Sequence, residues 1–194
     1  MKRLLLMGGR PWFAEDGGKK FVETLLQGHP QEAKMAFCLF AQPEERWEEV
    51  RKLHAGMIDS HKGSREVVYQ TITKENFTEV SAWADIIFLP GGRTVPVQEI
   101  MNCGDIGTLW DGKLIAGSSA GADLFCEGYI AMSTMQYGRG LGWIKATFIP
   151  HWRSAQDDYP SKDWAAAEQT ALDNSPDTPV LRVPEEGFVE FTVA

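Results

Sequence analysis

Short, nearly continuous apolar runs alternate along this chain with segments of helical periodicity, and Gly, Pro or a capping residue separates each pair. A run with no polar face must be covered on both sides, and a sheet layered between helices provides that cover. Residues 3–7, 34–40, 66–70, 85–89 and 113–116 are read as buried strands of this kind. Between them, 44–58 places Trp47, Val50, Leu53, Met57 and Ile58 at spacings of three or four, leaves Glu48 and Lys52 as an exposed pair, and starts on Pro43. Residues 18–26, 73–83 (with Thr73 as its cap) and 95–101 are further helices. The alternation predicts an α/β fold, a doubly wound and mostly parallel sheet with helices on both faces. Residues 180–183 and 188–193, broken at Glu185-Glu186-Gly187, predict a terminal hairpin on the sheet edge.

A length of 194 residues predicts one domain over 1–194. Hydrophobic residues at 43% against 24% charged supply a core, which excludes disordered and fibrous classes. The net charge is 19 − 27 = −8, and no basic cluster exceeds the pairs Lys2-Arg3, Lys19-Lys20 and Arg51-Lys52, so nucleic acid and anionic membranes are not expected as partners. The apolar run of residues 4–7 stops at Gly8-Gly9, too short for a secretory segment, and no stretch of ~18 apolar residues occurs. A soluble, cytoplasmic protein is expected. Cys38, Cys103 and Cys126 are far apart in apolar stretches with no ligand spacing, which reads as buried thiols in a reducing compartment and no metal site. Any tryptophan of the seven left exposed would mark the face of a homodimer.

In doubly wound sheets, chemistry collects in the loops after the strands. After the run ending at Ala116 comes Gly117-Ser118-Ser119-Ala120-Gly121-Ala122, which satisfies G-x-S-x-G in a strand–turn–helix setting and makes Ser119 the candidate nucleophile. The Ala120 amide then points where an oxyanion forms, and Gly92, in the Pro90-Gly91-Gly92-Arg93-Thr94 turn after another strand, offers a second amide. Of four histidines only His151 follows a strand-like run, 147–150, which makes it the candidate base; His54, His29 and His61 read as capping or surface residues. The base needs an orienting acid. Asp123 and Glu127 are expected on a helix pointing them away, and Asp157, Asp158, Asp163, Glu168, Asp173 and Asp177 fall in loop or helix-like polar sequence. That leaves Glu185 and Glu186, at the end of residues 180–183, with Glu185 the first candidate. Dinucleotide, P-loop and zinc motifs are absent, and no cofactor is expected.

The set Pro90-Gly91-Gly92-Arg93-Thr94, Gly117-Ser118-Ser119-Ala120-Gly121-Ala122, Ile149-Pro150-His151-Trp152 and Val183-Pro184-Glu185 resembles, in order and along the whole chain, the peptidase E (α-aspartyl dipeptidase) and cyanophycinase family of serine peptidases. The resemblance implies a class I glutamine amidotransferase-like fold, Ser119 as nucleophile, His151 as base, Glu185 as acid, and Gly92 and Ala120 as oxyanion donors. Glu185 is preferred to Glu186 because a gapless match keeps Phe188 and Val189 in register with the family's apolar strand. Arg93 replaces the family's asparagine, Ser118 replaces an aromatic, and the arginine-bearing segment that reads an aspartyl side chain has no counterpart around Tyr159 to Trp164. Arg93 or Lys162 would substitute as the carboxylate partner. The implied activity is hydrolysis of a short peptide or related amide through an acyl-enzyme. The alternatives are a catalytically weak member that binds a small ligand or partner, and an esterase with its acid between Ser119 and His151.

Overall fold

The computed structural model describes residues 1–157 and 159–194, with the side chains at 95, 96 and 101 left aside; Asp158 lies outside the described residues. In chain order the elements are β1 (Lys2–Met7), α1 (Lys19–Leu25), β2 (Glu32–Cys38), α2 (Trp47–His61), β3 (Glu66–Ile72), α3 (Phe77–Trp83), β4 (Ile86–Leu89), α4 (Thr94–Val97), α5 (Ile106–Leu109), β5 (Leu114–Ser118) and α6 (Ala120–Asp123). There follow β6 (Cys126–Ala131), β7 (Gln136–Arg139), β8 (Ile144–Ile149), α7 (Trp164–Asn174), β9 (Val180–Arg182) and β10 (Phe188–Val193).

The strands form two sheets. The larger has the order β10-β1-β5-β4-β2-β3, parallel throughout except for β10, which runs antiparallel to β1. Because side chains alternate along a strand, Leu5 and Met7 of β1 face a core shared with Phe21, Val22 and Leu25 of α1 and Val50 and Ile58 of α2. Leu4 and Leu6 face the other core, with Phe77 and Val80 of α3, Ile106 of α5 and Trp110. Both faces are thus covered, as the apolar runs require. The predicted doubly wound sheet is present.

The second sheet, β7-β6-β8-β9, was not foreseen as a separate layer. Its Tyr129 and Phe148, with Leu124 and Phe125 just before β6, pack in the core on the Leu4 side of the large sheet, and its opposite side holds Ala167 and Ala171 of α7 against Ile130 and Ile149. The predicted terminal hairpin does not form. β9 pairs parallel with β8 in the small sheet, and after Val183-Pro184-Glu185 the chain crosses to the large sheet, where β10 closes the edge beside β1. A hairpin would have needed antiparallel partners within one sheet; here residues 183–187 are a bridge between two.

The elbow helix α6 is four residues long, so Glu127 belongs to β6, where it pairs with Lys145 at 3.1 Å. In α2 the expected Glu48–Lys52 pair is present at 3.3 Å. The buried stripe, however, runs through Val50, His54, Met57 and Ile58, and Leu53 is 52% exposed. His54 is therefore interior and not a surface residue, its ring lying edge-on to Trp12 and Phe88. At α3 the helix starts after Asn76, whose side chain accepts from the Thr73 amide at 2.7 Å in the preceding turn. Cys38 and Cys126 are buried, while Cys103 is only half-buried at the end of a short 3-10 turn. All seven tryptophans are buried or half-buried, so the exposed tryptophans that would mark a dimer face do not occur. No helix among the described residues is long and apolar enough to cross a membrane.

The phase of α2 is testable by unfolding in urea. Ile58→Ala, at a fully buried position, should cost about 2–5 kcal/mol. Leu53→Ala should change stability by no more than about 0.5 kcal/mol.

Candidate active site

β5 ends at Ser118 and α6 begins at Ala120, so Ser119 alone makes the strand-to-helix turn. It does so at φ 48° and ψ −114°, a conformation that costs an L-residue roughly 1–3 kcal/mol. The flanking glycines are packing requirements of this turn. A Cβ on Gly117 would lie 2.5 Å from the Gly121 carbonyl oxygen, and one on Gly121 would lie 2.2 Å from that of Leu89. The Ser119 amide donates to Met7 at 3.0 Å, and the Ser118 hydroxyl donates to the Gly9 carbonyl at 2.6 Å. These bonds lock the elbow to the loop after β1.

His151 stands just past β8 and Glu185 just past β9. Because β8 and β9 are parallel neighbours, their carboxyl ends lie side by side and the two residues meet. The His151 ring bridges both partners: Nδ1 is 2.7 Å from Glu185 Oε2, and Nε2 is 2.9 Å from Ser119 Oγ. Their contact lies across Gly9. A Cβ there would come within 2.5 Å of Glu185 Oε1 and 2.6 Å of His151 Nδ1, so the residue must be glycine. Tyr159 stacks on the imidazole with ring centroids 4.3 Å apart. Glu186 is exposed and takes no part.

The second oxygen of Glu185, Oε1, accepts from Arg10 Nε at 2.7 Å, and Arg10 Nη2 reaches Asp157 at 2.6 Å. Burial by itself would push the Glu185 carboxyl up. Hydrogen bonding and charge from His151, with further bonds from Arg10 and Ser154, outweigh it and hold the group at about 2. An ionised Glu185 makes Nδ1 the protonated nitrogen and leaves Nε2 to accept from the serine hydroxyl.

Ser119 opens onto two cavities. The larger, about 960 Å³, is walled by Asp123, Tyr129 and Tyr137 and carries Arg93 and Lys162. The other, about 480 Å³, holds His151 with Trp12, His54 and Leu53. Gly92 borders both, and neither its amide nor that of Ala120 has a hydrogen-bond partner among the described residues. No group of three or more His, Cys, Asp or Glu among those residues could hold a metal ion.

The model of peptidase family S51 matches residues 4–192. The chain belongs to peptidase family S51. As a member it is a serine peptidase, and the expected resemblance stands. Two solved structures share its fold. A putative peptidase E protein from Listeria monocytogenes EGD-e superposes with a TM-score of 0.66 at 16% identity over 100% of both chains. A peptidase from an acI-B1 actinobacterium superposes with a TM-score of 0.62 at 19% identity over 89% of this chain and 75% of that one. No curated protein matches the chain.

Every candidate residue of this S51 chain reaches one site: Ser119, His151 and Glu185 in contact, the Gly92 and Ala120 amides beside the serine, and Arg93 and Lys162 on the cavity wall. The esterase expectation of an acid between Ser119 and His151 is not met, since the acid against His151 follows it in the chain. Asp123 ends α6 and borders the larger cavity with its side chain buried, Oδ2 accepting from the Thr94 hydroxyl at 2.9 Å. Sequence reading missed Arg10, Gly9 and Tyr159. Gly8-Gly9 reads in sequence only as the end of the first apolar run, yet its place after β1 is itself the signal, and Arg10 follows directly. Tyr159 carries no local signal, because stacking on His151 depends on how the loop folds back.

The depressed Glu185 group sets a pH dependence. A carboxyl held below its ordinary 4.5 stabilises the fold fully above that value and loses the contribution as pH falls towards about 2. In urea unfolding, Glu185→Gln should therefore be less stable than wild type at pH 7, with the gap narrowing below about pH 4.5. A gap that stays constant across this range would contradict the assignment.

Proposed function

We propose that the chain hydrolyses short peptides of dipeptide size, or related amides, through an acyl-enzyme formed on Ser119. The observation that carries this reading is the single imidazole of His151 in hydrogen-bond reach of both Ser119 Oγ and Glu185 Oε2. In it, Nε2 takes the hydroxyl proton as Oγ attacks the scissile carbonyl, and the negative charge passes to the carbonyl oxygen between the Gly92 and Ala120 amides. The imidazolium, steadied by Glu185, then gives its proton to the leaving amine. Water then attacks the acyl carbon and loses a proton to Nε2; as the C–Oγ bond breaks, that proton passes to Oγ, which restores the serine and releases the acid.

Glu185 serves as an anion throughout, held by Arg10 so that its second oxygen does not compete for the imidazole. The strained φ of Ser119 keeps the nucleophile in place before substrate arrives. Elements on both sides of the serine favour a small substrate: the β6–β7 hairpin closes one cavity, and α2 with Trp12 borders the other. Arg93 and Lys162 on the wall favour a substrate carrying a carboxylate, as an acidic side chain would, although the field of a chain with net charge −8 opposes strongly anionic molecules beyond the pocket. The reading includes work in the cytoplasm with no metal or cofactor.

A dipeptide screen on wild type and Ser119→Ala tests this. Wild type should cleave a subset of dipeptides, and the variant should lose at least about 10³-fold in kcat. Cleavage that persists in Ser119→Ala would overturn the assignment. No cleavage by wild type of any dipeptide would favour a binding role for the same pocket.

A further inference from the structure

Leu53 stands on α2 where the helical period calls for a core residue, yet His54 is the buried one of the two and Leu53 lines the smaller cavity beside Ser119. An exposed leucine carries no meaning by itself. This one has apolar company in the same cavity: Val50, three residues before it on α2, and Trp12, from the short 3-10 turn after β1, whose ring lies edge-on to His54 at 5.2 Å. The polar groups of that wall are engaged with partners of their own. Arg10 is held by Glu185 at 2.7 Å and by Asp157 at 2.6 Å, Arg46 pairs with Glu49 at 2.9 Å, the Gln42 side-chain amide donates to the Gly91 carbonyl, and the Ser118 hydroxyl donates to that of Gly9. Burial lowers His54 to about 4, so its ring is neutral at pH 7. From α2 and the turn after β1, the side chains left to meet a ligand are Trp12, Val50 and Leu53, alongside that neutral ring.

The chemistry assigns this cavity to one side of a substrate. The leaving nitrogen takes its proton from His151 Nε2, which lies 2.9 Å from Ser119 Oγ, so that nitrogen and whatever it carries sit on the side of the serine where the imidazole is open. His151 lines the smaller cavity and not the larger, whereas Gly92 lines both. The leaving amine then extends into the smaller cavity and the acyl part into the larger, with the carbonyl oxygen at the Gly92 edge they share.

We propose that the smaller cavity holds the leaving residue and that Leu53, with Trp12 and Val50, selects an apolar side chain on it. The inference rests on the peptidase reading above and adds the class of amine released: an amino acid with a hydrocarbon side chain. Such a side chain is withdrawn from water against Leu53 and Trp12. A polar one of the same shape loses its hydration there and finds the charged groups of the wall already paired. The exposure of Leu53 acquires a reason, since its hydrocarbon is covered when the leaving residue is in place.

The test uses two dipeptides that share the N-terminal residue wild type cleaves best and end in leucine or in asparagine, which match in shape and differ in polarity. In kcat/KM, wild type should favour the leucine peptide by about tenfold or more. Leu53→Asn should reduce that ratio at least about threefold, Trp12 and Val50 retaining the rest. Leu172→Asn, at another exposed leucine, on α7 and away from the cavity, should keep the wild-type ratio. A wild-type ratio near one, or a ratio that Leu53→Asn leaves unchanged, would overturn the inference and leave the peptidase reading standing. A wild type that cleaves neither peptide and takes no fluorophosphonate label on Ser119 would overturn the peptidase reading and this inference together.

Discussion

The hydrogen bond between His151 Nδ1 and Glu185 Oε2 joins the parts of this fold that are otherwise held apart. Both residues leave the small sheet, His151 from β8 and Glu185 from β9, while the serine they serve leaves the large sheet from β5. The contact is formed against the loop after β1, where Gly9 gives up a side chain to make room for it. Backbone bonds follow the same seam: the His151 amide donates to Gly8, the Gly8 amide to Gly187, and the Ser119 amide to Met7. Three strand ends from two sheets thus converge on one glycine loop. A shift of either sheet against the other would break the imidazole's reach to one partner.

Electrostatics and packing reinforce one another there. Glu185 is buried, which alone would favour its neutral form, yet His151 and Arg10 each take one oxygen and hold it ionised. Arg10 is held in turn by Asp157, and Tyr159 lies flat on the imidazole. The segment of residues 151–161 therefore supplies the base, a ring to pack on it and an anchor for the guanidinium that steadies its acid. Asp123 contrasts with Glu185: the carboxyl is buried, one oxygen accepts from the Thr94 hydroxyl and the other has no hydrogen-bond partner among the described residues.

Much of this was legible in the chain. The five strands of the parallel core announce themselves because each is apolar throughout and cut off by Gly, Pro or a polar cap. The elbow reads from its glycines, which leave no room for any side chain. What was not legible depended on distant partners. β7, Gln136–Arg139, has no apolar run, and β6 follows the four-residue α6 without a breaker, so neither reads as a strand on its own. The turn at Glu185-Glu186-Gly187 looks the same locally whether its strands pair with each other or with two different sheets. Leu53 and His54 both fit the period of α2. Hydrophobicity favours Leu53, but the space between Trp12 and Phe88 takes the imidazole.

The central claim is that His151 is held as a donor to an ionised Glu185 and thereby kept ready to accept from Ser119. The direct measurement is the proton NMR spectrum at low field, where an imidazole Nδ1 proton shared with a buried carboxylate resonates apart from the amides and exchanges slowly. Wild type at neutral pH should show one such resonance, assigned to His151 through its loss in His151→Ala, and Glu185→Gln should shift it strongly upfield or abolish it. A folded wild-type protein without that resonance, or a resonance unchanged in Glu185→Gln, would contradict the account.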